Sequence, residues 1–236
     1  MVRGFGVGLL ACAACFLGEP PAPLDTPDLV GPSPLRRLTN EEYVNALHDL
    51  FPEVTVTIPP LPETTIIAGF DNAAEAQQPS DIAIARYEQV ANLYAAALSP
   101  GERARCETSA CAAQFITTTG RRIFRRPLAP DELARFQTKF AAWQSAVDYG
   151  AAAQLTLSAM LQSPQFLYRP EPATGTKTLA PVEPYALATR LSFFLWASTP
   201  DDALTGAAET GALATQDGVR AQAERMLDDD KARRTL

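Results

Sequence analysis

The chain has 236 residues, a net charge of −7 and a sequence pI near 4.8, and 47% of it is hydrophobic against 20% charged. That balance is too apolar for a disordered chain. It is also too acidic for general affinity for nucleic acid, which needs a cationic surface to displace counterions from phosphates. A single histidine, His48, leaves little room for metal or acid–base chemistry, and 20 prolines predict many short elements with firm boundaries.

Arg3 opens the chain's first pattern, an uncharged run from Gly4 to Gly18 that Glu19 ends. The run is shorter than the roughly 20 residues a membrane span needs. A positive start, a short apolar core and small residues near a cut site describe a secretory signal over residues 1–18. Within it, Leu9-Leu10-Ala11-Cys12 resembles a bacterial lipobox, which makes Cys12 the expected lipidation site and the membrane a partner through an N-terminal lipid anchor. A plain signal cut after Ala13 or Ala14 is the alternative. Cys12 and Cys15 have the spacing of a c-type haem attachment, but Phe16 stands where histidine is needed, so no haem or other cofactor is expected. Residues 19–34 hold Pro20, Pro21, Pro23, Pro27, Pro32 and Pro34 and predict a stiff extended tether.

From Leu35 onward the apolar spacing is helical, which predicts an all-α fold of about seven helices in two packed helical units with no substantial sheet. Thr39-Asn40-Glu41-Glu42 is a capping box opening a helix with Tyr43, Leu47 and Leu50 on one face, stopped by Pro52. Residues 53–79 lack a helical period and carry Pro59, Pro60, Pro62 and Pro79, so a long ordered loop is expected, with a short strand over Val54–Ile58. Ser80 caps a second helix with Ile84, Tyr87, Ala91, Tyr94 and Leu98 inward. Further helices are expected over Ala110–Arg125, from Pro130, over Tyr149–Gln162, around Leu187, Leu191, Phe194 and Leu195, and from about Gln216. The units implied are a first helical domain at 35–100, a second at 101–170 and the start of a third at 181–236. Because Ala221–Arg234 reads as a helix without a cap, the third is expected to be cut off, with C-terminal domains missing.

Several phrases together resemble a known family. Leu35-Arg36-Arg37-Leu38-Thr39-Asn40-Glu41-Glu42-Tyr43, Asp49-Leu50-Phe51 and Gly69-Phe70-Asp71-Asn72 are similar to the first of a set of planctomycete-type domains of unknown function. Gly120-Arg121-Arg122, Phe124-Arg125-Arg126-Pro127-Leu128, Asp131-Glu132 and Ser163-Pro164-Gln165-Phe166-Leu167-Tyr168-Arg169 resemble the next. Arg190-Leu191-Ser192-Phe193-Phe194-Leu195-Trp196 and Pro200-Asp201-Asp202-Ala203-Leu204 resemble the start of a third. The resemblance implies a large exported bacterial protein, in some cases accompanied by a c-type haem module, and further domains after residue 236. It implies no reaction, substrate or catalytic residue.

Four constellations bear on chemistry. Cys106 and Cys111 form the expected disulfide of an exported protein. On one continuous helix their Cα atoms would lie about 8.6 Å apart, beyond the limit of roughly 7 Å, so a bonded Cys106 must precede the helix that holds Cys111. A metal or redox site is the alternative, but further ligands are lacking. Arg121, Arg122, Arg125 and Arg126 are candidates for a phosphate or anionic polymer, against a structural reading in which they favour a helix C-terminus and pair with Asp131 and Glu132. Asp71 and Asn72 sit in a turn that can be merely pinned or can form a carbohydrate or calcium site. Asp201 and Asp202 read as the acidic first turn of a helix, and His48 as a structural histidine. No GxSxG elbow, HExxH pair or P-loop is present.

The leading functional expectation is therefore non-enzymatic: a scaffold or binding module of a cell-envelope lipoprotein, with an envelope protein or polysaccharide as partner and no nucleic acid. A hydrolase of extracellular polymer using Asp71 and Asp201, or a docking partner in an electron-transfer system, are the alternatives.

Overall fold

The computed structural model describes residues 35–69, 71–74, 78–98, 109–170 and 182–235. The signal and lipobox with Cys12, the tether at 19–34, Cys106 and the 171–181 stretch lie outside the described residues. All described residues belong to one compact unit.

The structure is mostly helical, with ten α-helices among the described residues rather than about seven, and one two-stranded sheet. Strand β1 (Arg36–Arg37) leads into α1 (Asn40–Leu50). The capping box at Thr39 is formed: its hydroxyl accepts from the Glu42 N–H at 3.1 Å, and the Thr39 N–H donates to Glu42 Oε2 at 2.9 Å. Residues 53–66 form neither helix nor strand, so the strand expected at 54–58 is absent. The loop is held instead by side chains: Val54 is buried, Val56, Ile58 and Leu61 pack on the core, and Asn40 Nδ2 donates to the Pro62 carbonyl at 2.8 Å.

Helix α2 (Asp81–Ala97) is capped by Ser80 and buries Tyr87, Val90, Ala91 and Tyr94. Ile84, expected inside, is 55% exposed, because Ala83, Tyr87, Val90 and Tyr94 define a buried face turned one residue away from it. Helices α3 (Ser109–Phe124), α4 (Pro130–Ala146) and α5 (Tyr149–Leu161) follow, with α5 packed between α2 and α4 and α3 against both α4 and α5. Pro130 occupies the first turn of α4, where its missing N–H costs nothing. A single turn, α6 (Pro164–Leu167), then delivers β2 (Tyr168–Arg169) to β1, antiparallel, with Arg36 opposite Arg169 and Arg37 opposite Tyr168. One core with Tyr43, Leu47, Tyr94, Ile116, Ile123, Phe140, Leu157 and Phe166 thus joins α1 and α2 to α3–α6.

Helix α7 (Pro184–Trp196) ends at Ala197 in the left-handed region, φ +47°. Asp201 caps α8 (Asp202–Glu209), the helix whose acidic first turn the sequence marks. A 3₁₀ turn at Ala212–Ala214, α9 (Gln216–Leu227) and α10 (Asp230–Thr235) complete a second core of Ala188, Leu195, Trp196, Leu204, Leu213 and Met226. Phe193 belongs to the first core, so α7 contributes to both. Phe194, expected inside, is 71% exposed. Leu187, Leu191, Phe193, Phe194, Leu195 and Trp196 cover most of α7's circumference, and a helix apolar nearly all round does not announce which face it buries. No helix among the described residues is long and apolar enough to cross a membrane.

Candidate functional site

The β1–β2 ladder fixes the site. Residues directly opposite on an antiparallel pair project to the same face, so Arg36 and Arg169 emerge together. Arg37 turns the other way, where its guanidinium donates to the Tyr87 hydroxyl and lies over that ring. The face carrying Arg36 and Arg169 opens on a cleft of about 530 Å³, also lined by Glu42, Asn72, Arg190 and Phe194.

Glu42 is placed in this cleft by the helix it caps. Its Oε2 is taken by the Thr39 N–H, and its Oε1 lies 3.5 Å from Arg169 Nη1. Burial raises its pKa above the usual carboxylate range, opposed first by the Arg169 charge; nearby Asp71 adds to the upward shift. The Arg169 side chain is 15% exposed. Its Nε is buried with no hydrogen-bond partner among the described residues. Its guanidinium stands 5.3 Å from the centre of the Phe193 ring, which Arg125 also approaches, at 5.6 Å.

The four arginines of 121–126 do not converge on one ligand position. Arg121 pairs with Glu209 through two bonds of 3.3 and 2.7 Å. Arg122 donates to the Leu50 carbonyl at 2.9 Å. Arg126 forks onto Glu132, both bonds 2.8 Å, and also reaches Gln165. That hydrogen bond from Arg126 holds the Glu132 pKa below its ordinary value. Asp131, the other acid expected to meet this cluster, pairs with Arg135 at 3.3 Å.

Arg125 is buried, at φ +59°, and donates to the carbonyls of Gln165 (2.8 Å), Phe166 (3.2 Å) and Tyr168 (2.7 Å). Burial, and next the neighbouring Arg169 charge, pushes its pKa down to about 9. This side chain stitches the end of α3 to the α6–β2 turn and thereby sets where Arg169 emerges.

Asn72 lines the cleft and Asp71 beside it is exposed, following a turn in which Ala68 and Gly69 have φ of +52° and +86°. Asp201 is elsewhere. It borders a second cleft of about 530 Å³ beside α8, with Asp49, Arg121, Arg122, Glu209 and Lys231. There the charges are matched: Asp201 takes both arms of Arg225 at 2.8 and 3.1 Å as well as capping α8, and Asp49 accepts from Lys231 at 2.8 Å and from Ser198 at 2.6 Å. His48 is exposed in the last turn of α1. Among the described residues no group of three His, Cys, Asp or Glu side chains could hold a metal ion.

Glu42, Arg36, Arg169 and Arg190 are the site residues that sequence reasoning did not single out as binding groups. The one signal that could have found them is the pairing of 36–37 with 168–169, and residues so far apart carry no shared periodicity.

Family models match three stretches of the chain, each described as a protein of unknown function: PSD3 (DUF1587) over residues 36–99, PSD5 (DUF1595) over 111–171 and PSD4 (DUF1592) over 182–236. No curated protein and no solved structure matches it. The first cleft draws residues from all three stretches: Arg36, Glu42 and Asn72 from one, Arg169 from the next, Arg190 and Phe194 from the last. The chain carries three domains of unknown function in tandem and belongs to the planctomycete-type multi-domain arrangement that they define.

Proposed function

We propose that this chain is a binding module of an exported cell-envelope protein, held at the membrane by acylation of Cys12, that takes an envelope polysaccharide or partner protein into the cleft between its three domains. The observation that carries the reading is the cleft itself. Its wall is assembled from distant parts of the chain and is polar, and among the described residues that line it Glu42 is the one carboxylate, with no Ser, Cys or His beside it. The hydrolase alternative gains nothing from Asp201, whose carboxylate is occupied by Arg225 and the Leu204 N–H and which borders the other cleft.

The export half of the proposal includes a Cys106–Cys111 disulfide. Its support is chemical: two thiols five residues apart in an oxidising compartment most often pair. A loop of this size adds about 2 kcal/mol on chain-entropy grounds.

Two experiments test the proposal. Expressed in a bacterium, the full chain should incorporate labelled palmitate and the Cys12→Ser variant should not; an unlabelled, cytosolic precursor overturns the anchor. Purified full chain should bind envelope polysaccharide or an envelope protein saturably without consuming it. Steady release of cleavage products would replace this reading with the hydrolase.

A further inference from the structure

We propose that the third family stretch is a rocking body: it pivots on Phe193, is latched to α1 through Asp49, and opens the cleft beside α8 as it closes the one beside β1–β2.

The argument begins with how this stretch meets the rest of the protein. Every residue of the second core comes from positions 185–232, and α7 has its close helix packing with α8, α9 and α10. Phe193 alone among the described residues of the stretch enters the first core. Its ring stands 5.6 Å from the Arg125 guanidinium and 5.3 Å from that of Arg169. The other side-chain links that cross are polar. Asn45 Nδ2 donates to the Ala197 carbonyl at 3.3 Å, Ser198 Oγ and Lys231 Nζ both donate to Asp49 Oδ2 at 2.6 and 2.8 Å, and Arg121 meets Glu209 at 2.7 Å. Parts joined by one apolar plug and a set of polar links are built like a transient interface, and relative motion is what such an interface permits.

The second line is the order of these links along two helices. On α1, Glu42 lines the first cleft, Asn45 bonds to Ala197, and Asp49 lines the second cleft. A helical rise of 1.5 Å per residue puts about 10 Å between Glu42 and Asp49. On the other side, Thr189 of α7 lines the first cleft, Phe193 enters the core, and Thr199, just past the helix end, lines the second. The two clefts are thus the two ends of one seam, with Phe193 between them. A rigid body turning on that point widens one end by narrowing the other.

The third line is the latch. Ala197 has φ +47°, a conformation that residues other than glycine keep only where their surroundings hold it. Helix α1 does the holding: Asn45 takes the Ala197 carbonyl and Asp49 takes the hydroxyl of the next residue. The same Asp49 oxygen takes Lys231, whose Nζ lies 5.0 Å from the centre of the Trp196 ring. One carboxylate oxygen therefore fastens both ends of the α8–α10 segment to α1, at the second cleft. The exposed Arg121–Glu209 pair is the other ionic link there, and exposed pairs hold weakly. Removing the Asp49 charge should free this end of the seam.

The test measures distances in the full chain without ligand, so its result does not depend on what either cleft binds. Pairs of nitroxide labels, attached through an encoded ketone amino acid that spares the native cysteines, are read by electron paramagnetic resonance. Leu35 and Phe194, both exposed, report across the first cleft; Thr118 and Ala203, also exposed, report across the second. Asp49→Asn should lengthen the 118–203 distance and shorten the 35–194 distance, each by more than about 2 Å. Lys231→Met keeps the apolar stem against Trp196 and removes the cation, and should shift both distances in the same directions; it decides the matter if circular dichroism shows Asp49→Asn unfolded. Distances unchanged in the folded variants, a change in one pair alone, or lengthening of both pairs overturns the rocking motion.

Discussion

Replacing Arg125 by alanine removes the donor for three main-chain carbonyls, those of Gln165, Phe166 and Tyr168. Each buried acceptor left unpaired costs about 1–3 kcal/mol. Contacts of the guanidinium with the Phe166 and Phe193 rings, at 6.0 and 5.6 Å, disappear with it. Against this, the fold no longer buries a cation that Arg169 repels. Breaking one side of a buried charged network nets about 3–5 kcal/mol of destabilisation. At about 2–4 °C per kcal/mol for a domain of this size, the melting temperature should drop by roughly 6–20 °C. The backbone supplies a sharper criterion. Arg125 sits at φ +59°, where an L-residue is penalised by about 1–2 kcal/mol and glycine is not. Arg125→Gly should therefore melt above Arg125→Ala, the reverse of the order inside a helix. Thermal unfolding followed by circular dichroism at 222 nm measures both. An Arg125→Ala protein melting within about 2 °C of the parent, or a glycine variant melting below the alanine one, refutes the stitching role.

Three further outcomes are expected. Glu132 has its pKa lowered by the Arg126 hydrogen bond, so its ionised form stabilises the fold above its ordinary value near 4.5, and that contribution is lost as pH falls through the depressed folded value. Glu132→Gln should therefore cost about 1–3 kcal/mol at pH 7, and the gap in melting temperature should close as the pH is taken to 3; a constant gap refutes the linkage. Gly206→Ala in α8, with nothing within 4 Å of the added carbon, should stabilise by about 0.4–1 kcal/mol, whereas Gly218→Ala meets the Ala212 carbonyl oxygen at 2.0 Å and should lower the melting temperature. Glu209→Gln, removing the exposed partner of Arg121, should leave the melting temperature unchanged within error, because exposed pairs contribute little.

What could be read in advance was what local chemistry encodes. Thr39, Ser80 and Pro130 mark the starts of α1, α2 and α4, because a cap or a first-turn proline acts within its own four residues. The one-turn helices α6 and α10 escape, since four to six residues are too few to show a period. Phe194 was misplaced because its helix is apolar on nearly every side. Of the residues that line the cleft only Asn72 was legible, from its turn; Arg125, which supports Arg169 from behind, belongs to a run whose four side chains take four separate partners. Arg36 meets Arg169 through main-chain pairing between residues more than a hundred apart, and nothing in either neighbourhood specifies the other.

Helix α7 lends Phe193 to one core and Leu195 with Trp196 to the other. The core of helices α1 to α5 therefore keeps an open flank until α7 packs on it. A boundary drawn between the second and third family stretches separates two families but cuts through a unit of folding. Expressed without its third stretch, the N-terminal part should expose the seat of Phe193 and associate through it.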